Sequence, residues 1–281
     1  MNRREFLEAS AAAALVAGCG GSDAGPDALH VSTTDVHGED LNGMLYRISR
    51  SGNAVSRVTS TGTAVWTTGG KGSAPAQFDF PTAIAADNRG RVLVVDRGNA
   101  RVQIFEGASG RYLGMFGSAG REPGQFLIAR HIAVSSDRIY LADQLNHRVN
   151  VYDMNGTSVS AIGTVAGSGA LDVPRGVALD RDGNVYVSDS AARAIRKYSA
   201  TGAFAGRVDG GNVAHPHGLA MQSNGDLWVA DGASGRVVVL TPQGNVRQTI
   251  AIKLADGHPG APTDVALSNR DIYVRATRMG S

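Results

Sequence analysis

The feature that most constrains the fold is an internal repeat with a period of about 45 residues. Each copy opens with an apolar run and continues with a second apolar run that usually ends in Asp. The clearest copies begin at residues 81, 129, 174, 216 and 262, which are 48, 45, 42 and 46 residues apart. A degenerate copy precedes them at residues 43–67. A series at near-constant spacing predicts equivalent units that pack on one another.

Each copy contains short β-branched or aromatic runs separated by Gly, Asn and Asp, residues typical of turns. The copy that opens at Pro81 shows runs at residues 81–87, 90–96 and 99–105. We therefore predict one four-stranded antiparallel sheet per repeat. Such a sheet cannot bury both of its faces alone, whereas a ring of sheets buries them all. The 37 glycines among 281 residues fit a turn-rich all-β protein, and they show no collagen period.

The opening Pro-x-x-Ile-Ala and the following Val-x-Val-x-Asp resemble the NHL-repeat family over residues 40–275. The resemblance implies a six-bladed β-propeller of four-stranded antiparallel blades. The last copy has only 20 residues from position 262 onward, enough for two strands. We expect N-terminal residues to complete that blade, with residues 28–32 as an outer strand. The alternative is five blades, with strands from residues 44–67 completing the last one.

The N-terminus has the features of an export signal. Arg3 and Arg4 precede an alanine-rich run and resemble a twin-arginine signal, and residues 15–19 resemble a bacterial lipobox that ends at Cys19. The resemblance implies that Cys19 is lipidated and becomes the new N-terminus. We expect an export signal at 1–18, a lipid-anchored linker at 19–32 and the propeller at 33–281. The predicted location is the bacterial cell envelope, as an extracytoplasmic lipoprotein held at the membrane by its lipid.

Composition argues against several classes of protein. A formal net charge of +2 offers no broad positive field, and we expect no nucleic-acid partner. The single cysteine cannot form an internal disulfide. No apolar run approaches the ~18 residues of a membrane-spanning helix.

Some repeated residues are predicted to be structural. Four aspartates occupy the same position after the second strand of successive copies: Asp96, Asp143, Asp189 and Asp231. Three of them are followed five residues later by an arginine, at Arg101, Arg148 and Arg236. A ring of acids could bind a cation, but a role repeated in every blade favours a turn cap, in which the carboxylate accepts backbone N–H groups. We expect the arginines to pair with these carboxylates.

Other positions vary between copies while the repeat stays constant, as expected of a ligand site on a repeat scaffold. In a blade of this kind, the start of the first strand and the end of the second lie at the same end of the ring. We predict that the residues just after the opening position line the mouth of the central channel. The candidate ligand-binding residues are Thr82, Arg130, His131, Arg175, His217 and Asp264. Two arginines and a histidine predict a positive mouth suited to a carboxylate or another anion. The alternative is solvated residues that pair with neighbouring acids.

A metal is the second hypothesis for the channel. His215 and His217 are the only close histidine pair, and the Pro-His-Gly at 216–218 resembles a zinc-ligand motif of peptidyl-hydroxyglycine amidating lyases. Corresponding positions carry Thr82, Arg130, Arg175 and Thr263, so one ligand of that motif carries over. We expect no cofactor, with a channel zinc or calcium as the alternative.

The sequence shows no catalytic motif, and we assign no catalytic residue. We expect an exported, lipid-anchored propeller that acts as a binding or scaffold module. Its expected partner is an envelope protein or a small anionic ligand. The alternative is a metal-dependent extracytoplasmic hydrolase or lyase of the gluconolactonase or amidating-lyase type.

Overall fold

A computed structural model of the chain describes residues 28–32, 35–39, 45–59, 62–267 and 271–280. Arg3, Arg4 and Cys19, which carry the export and lipidation predictions, lie outside these residues. The regular secondary structure of the described chain is β-strand, apart from two single-turn 3-10 helices at Gln144–Asn146 and Gly232–Ser234. Within it, no helix has the length and apolar character needed to cross a bilayer.

The strands follow one another in short runs of four to eight residues. The first nine are β1 (Ala28–Ser32), β2 (Asp35–Glu39), β3 (Leu45–Ser49), β4 (Ala54–Val58), β5 (Ala64–Gly69), β6 (Pro81–Ala86), β7 (Arg91–Asp96), β8 (Arg101–Glu106) and β9 (Tyr112–Phe116). The next eight are β10 (Ala129–Val134), β11 (Arg138–Asp143), β12 (Arg148–Asp153), β13 (Ser158–Ile162), β14 (Pro174–Leu179), β15 (Val185–Asp189), β16 (Ala194–Tyr198) and β17 (Phe204–Arg207). The last six are β18 (Pro216–Met221), β19 (Leu227–Asp231), β20 (Arg236–Leu240), β21 (Val246–Ala251), β22 (Gly260–Leu267) and β23 (Asp271–Arg278).

These strands form six sheets, the blades of a propeller. Five blades are four-stranded antiparallel meanders, which we number 1 to 5: β2–β5, β6–β9, β10–β13, β14–β17 and β18–β21. The first strand of each blade packs against the first strand of the next, so these strands surround the central channel. The all-β, six-bladed architecture predicted from the repeat is confirmed, and the five-blade alternative is wrong.

Blade 6 closes the ring in an unexpected way. It contains β22 and β23 from the end of the chain and β1 from its beginning, in the order β1-β23-β22. Residues 28–32 thus form the added strand that the sequence predicts, and the described propeller begins at residue 28. However, β1 runs parallel to β23, with Ala28 opposite Asp271. In the other blades the fourth strand leads into the next blade and runs in the same direction as the second strand. β1 likewise leads into blade 1, so it has the direction of a fourth strand. Blade 6 has no described third strand, so β1 pairs directly with the second strand, β23, and the pairing is parallel.

Neighbouring blades pack against each other through aliphatic and aromatic side chains on their facing surfaces. One such layer joins blades 2 and 3 and includes Leu93, Val102, Phe126, Leu141 and Tyr152, all of them fully buried. Each such side chain stabilises the fold by about 1.5–3 kcal/mol relative to an exposed one. This continuous packing holds the first strands rigidly around the channel.

The repeated aspartates act as turn caps, as predicted. Asp96 is fully buried and accepts the backbone N–H of Asp79 at 2.8 Å. Its second oxygen accepts Arg101 Nε at 2.8 Å. Equivalent backbone bonds reach the other three carboxylates, which are also fully buried: Asp143, Asp189 and Asp231.

In blade 4 the arginine comes from an unpredicted position. Asp189 pairs with Arg196, whose Nε lies 3.1 Å from Oδ2, because the residue five positions after Asp189 is Ala194. Residues two apart on a strand share a face, so an arginine at either position reaches the same carboxylate.

Candidate functional site

A β-bulge recurs at the start of the first strand in five blades. In blade 2, Pro81 pairs with Asp96 and Ala83 with Val95, so Thr82 is left out of the ladder. The same register shift skips the equivalent residues of blades 3 to 6: Arg130, Arg175, His217 with Gly218, and Thr263. A bulge leaves its extra residue unpaired and re-aims its side chain. These are the variable positions that the sequence predicts at the channel mouth.

All six predicted site residues line one cavity of about 210 Å³. Besides them, the cavity is lined by Arg50, Gly218, Thr263, Arg275 and Thr277. The described lining therefore carries four arginines, two histidines and a single acid, Asp264. The structure thus brings all of the predicted site residues together.

The electrostatics of the cavity are set by crowded, partly buried guanidinium groups. Burial lowers the pKa of Arg130 to about 10, helped by the positive charges of Arg97, Arg175, Arg50 and Arg275. Burial also lowers the pKa of Arg175. A lowered arginine pKa means that the site disfavours the cation, because water has been removed and little negative charge replaces it.

The two central arginines differ in their partners. Arg130 Nε donates to Gln144 Oε1 at 2.6 Å, which fixes the side chain against the end of β11. Arg175 Nε is buried without a hydrogen-bond partner among the described residues. A buried donor without an acceptor costs free energy, about 1–3 kcal/mol and more when it is charged. An acceptor supplied by a ligand would recover that cost.

His217 is neutral near pH 7. Its pKa falls from 6.5 to about 4, first because the ring is buried and then because Arg175, His215 and Arg130 repel its positive form. Gly232 makes room for the ring, since a Cβ there would lie 3.0 Å from His217 Cε1. A neutral imidazole in this position can donate or accept a hydrogen bond without adding charge.

His131 and Asp264 form the floor of the cavity. His131 Nε2 lies 3.4 Å from Asp264 Oδ1, and His131 Nδ1 accepts the Val177 N–H at 3.5 Å. With Nδ1 accepting from Val177, Nε2 is the ring nitrogen that faces Asp264. His131 also lines a second cavity of about 330 Å³ further along the channel, whose other lining residues are apolar. The pair thus separates a charged mouth from an apolar channel.

Thr82 has a structural role beside its place in the lining. Its side chain is 2% exposed, and its hydroxyl donates to the Ala129 carbonyl at 3.1 Å, which joins blades 2 and 3.

A second set of lining residues was not predicted. These residues follow the repeated aspartate, which ends the second strand in blades 2 to 5, or the residue that replaces it in blades 1 and 6. Arg50 and Thr277 line the cavity from this position, and Gln144 holds Arg130 from it. The repeat could have identified this position, because it is one residue after the repeated aspartate. In blades 1 and 6, however, Ser49 and Ala276 replace that aspartate, so the alignment of Arg50 and Thr277 was not evident.

The predicted metal candidates lie at the edge of this site. His215 and His217 together line a neighbouring cavity of about 330 Å³. In the described parts of the chain, no group of three or more His, Cys, Asp or Glu side chains has an arrangement that could hold a metal ion.

Comparison with known proteins agrees with the repeat and the ring. Residues 78–105 and 214–240 match the NHL repeat, and residues 162–188 match a β-propeller repeat. The chain contains NHL repeats. The two NHL matches cover the first three strands of blades 2 and 5, apart from the last residue of blade 2's third strand.

Curated relatives share the repeat over part of their length. The human NHL repeat-containing protein 3 is 26% identical over 183 residues, which are 62% of this chain and 49% of the relative. The Drosophila melanogaster protein brain tumor is 32% identical over 114 residues, 40% of this chain and 10% of that protein. The chain spans about half the length of the human protein it matches.

Solved structures show the same fold at low identity. A catalytically inactive virginiamycin B lyase from Staphylococcus aureus, solved with quinupristin, has a TM-score of 0.63 and 13% identity, over 86% of this chain and 77% of the lyase. A chain of a nidogen/laminin complex has a TM-score of 0.63 and 15% identity, over 85% of this chain and 83% of that one. An enzyme and a binding protein thus share this architecture, and the fold alone does not decide between them.

Proposed function

We propose that this NHL propeller is a binding module that holds an anionic group of its ligand at the channel mouth. The observation that carries the proposal is Arg175 Nε, buried without a described partner in a cavity that Arg130 also lines. A bound carboxylate would accept hydrogen bonds from both guanidinium groups and offset the cost of their burial.

The balance of charge favours an anion over a metal. The described lining contains four arginines against one carboxylate, and that carboxylate already faces His131. A divalent cation would be repelled by the arginines and would find few oxygen or nitrogen ligands. The metal-dependent hydrolase or lyase is therefore the lesser candidate. Stoichiometric zinc or calcium in the purified protein would favour it.

The test replaces the two arginines with uncharged polar side chains. We expect Arg130→Gln/Arg175→Gln to weaken binding of acetate, succinate or inorganic phosphate by tenfold or more, measured by NMR titration. The matched control, Arg138→Gln/Arg181→Gln, removes the same charge from blades 3 and 4 at the opposite end of the ring. It should bind like the wild type. Equal binding by both variants, or no binding of any of the three anions by the wild type, would reject the proposal.

We further propose that the propeller works outside the cytoplasm, held at a membrane by a lipid on Cys19. Arg3, Arg4 and the small residues before Cys19 support this. Each buried methylene of an acyl chain contributes ~0.8 kcal/mol to membrane binding. In a bacterial host, Cys19→Ala should move the protein from the detergent phase to the aqueous phase on detergent partition. An unchanged distribution would contradict lipidation.

A further inference from the structure

Two large apolar side chains lie exposed beside the charged mouth. Phe80 is 47% exposed and immediately precedes β6, and Leu145 is 45% exposed in the short turn after β11. Both positions are at the mouth end of the ring, in the neighbouring blades 2 and 3. Exposed aromatic and aliphatic side chains next to charged groups are typical of surfaces that bind other proteins.

Phe80 is held in an unusual backbone conformation. Its φ of +58° lies in the left-handed region, which bulky side chains rarely adopt. The residues that precede the first strands of blades 3, 4 and 5 do not have positive φ. The Phe80 N–H donates to Asn53 Oδ1 at 2.8 Å, which fixes the conformation. Strain that the surroundings maintain at Phe80, but not at these three equivalent positions, points to a role for the side chain it presents.

Arginines connect Phe80 to the cavity. The guanidinium carbons of Arg50 and Arg97 lie 5.7 and 5.5 Å from the centre of the Phe80 ring, within the range of a cation–π contact. Arg50 also lines the cavity. An anion bound at the mouth therefore lies beside an aromatic ring that is already flanked by cations.

Leu145 is connected to the cavity through its neighbour. Gln144 precedes it in the same 3-10 turn and accepts the Arg130 Nε hydrogen bond at 2.6 Å. The turn that positions Arg130 thus also presents Leu145 to solvent. The charged and apolar parts of this surface are built by the same segments.

We propose that the mouth face, comprising Phe80, Leu145, Arg130 and Arg175, docks an acidic segment of another protein with apolar residues beside the acid. The inference rests on the proposed function and names its ligand class. One carboxylate side chain enters the cavity, and the flanking apolar side chains pack on Phe80 and Leu145. A free small anion would satisfy the arginines but would leave both apolar side chains in water, so complementarity favours a protein segment.

The test uses a capped peptide with one glutamate between two leucines, its glutamine counterpart, and acetate. Phe80→Asn/Leu145→Ser removes the two apolar side chains of the mouth face. Asparagine is used at position 80 because it tolerates the left-handed conformation. The control, Leu113→Asn/Val159→Ser, removes side chains that are 41% and 50% exposed on the outer strands of the same two blades.

We expect the glutamate peptide to bind at least tenfold more tightly than acetate or the glutamine peptide. Phe80→Asn/Leu145→Ser should lose that gain and keep the acetate affinity, while the control should bind like the wild type. Suppose that acetate binding requires the two arginines, but the glutamate peptide binds Phe80→Asn/Leu145→Ser as tightly as it binds the control. The docking proposal is then wrong, and the proposed function stands. Tighter binding of a single-stranded oligothymidine than of the peptide would overturn the inference in favour of a nucleic acid.

Discussion

His131 and Asp264 face each other across the channel, with His131 Nε2 3.4 Å from Asp264 Oδ1. They come from blades 3 and 6, which are opposite each other in a ring of six. The Asp264 carboxylate also accepts the Val265 N–H at 3.0 Å, so its position is fixed from its own strand. The only described acid of the cavity lining is thus held in place both by its own strand and by His131.

The first prediction concerns this carboxylate. Asp264→Asn keeps the shape and can still accept the Val265 N–H, but it removes the negative charge that competes with an anionic ligand. We expect acetate and phosphate to bind several-fold more tightly, with a loss of stability of about 1–2 kcal/mol from the weakened contact with His131. NMR titration and urea unfolding measure the two effects. Weaker anion binding would mean that Asp264 itself contacts the ligand.

The second prediction concerns the space that Asp264 occupies. A Cβ on Gly218 would lie 2.0 Å from Asp264 Oδ1 and 2.7 Å from its Cα, so the two strands could not keep their spacing. We expect Gly218→Ala to destabilise the fold by about 1–3 kcal/mol, as overpacking does. The control is Gly114→Ala, because a Cβ there meets nothing within 4 Å. Thermal unfolding should separate the two variants, and equal midpoints would contradict the geometry.

The repeat made most of the fold predictable, because a four-stranded unit with apolar faces has few ways to bury them. The exception was blade 6, where the parallel pairing of β1 with β23 was not predicted. The sequence of a segment shows how many strands it can form. The direction of β1 in blade 6 depends instead on which neighbouring strand it pairs with, and this is decided only when the ring closes.

The candidate site was predictable to the extent that it follows the repeat. Arg130, Arg175 and His217 lie at one repeated position, and the bulge there directs them to one cavity. Arg50 and Arg275 were missed because they belong to the first and last copies, where Ser49 and Ala276 replace the repeated aspartate. The contact between His131 and Asp264 joins positions 133 residues apart, which no local pattern reveals.

A third prediction tests the turn caps. Asp96 accepts the Asp79 N–H, Asn99 Nδ2 and Arg101 Nε, each at 2.8 Å, and it is fully buried. Asp96→Ala should cost roughly 3–5 kcal/mol, because it leaves a buried guanidinium without its carboxylate. Asp137→Ala is the control, since that carboxylate is 66% exposed in a surface ion pair and should cost less than about 1 kcal/mol. Urea unfolding of the two variants gives the comparison, and similar losses would mean that the cap is dispensable.

The last prediction follows from the pKa of His217, which is about 4 in the folded protein against an ordinary value of 6.5. Between these values the unfolded chain binds a proton at this histidine and the folded protein does not, so stability falls as the pH drops from 6.5 to 4. The contribution is at most about 3 kcal/mol, at 1.36 kcal/mol for each pKa unit. In His217→Asn this part of the decline should vanish. His258→Asn makes the same substitution at a half-exposed histidine outside the cavity and serves as the control. Urea unfolding at pH 7, 5.5 and 4.5 measures how the free energy of unfolding changes with pH. The same pH dependence for wild type and His217→Asn would show that the His217 ring is solvated or already paired with an anion.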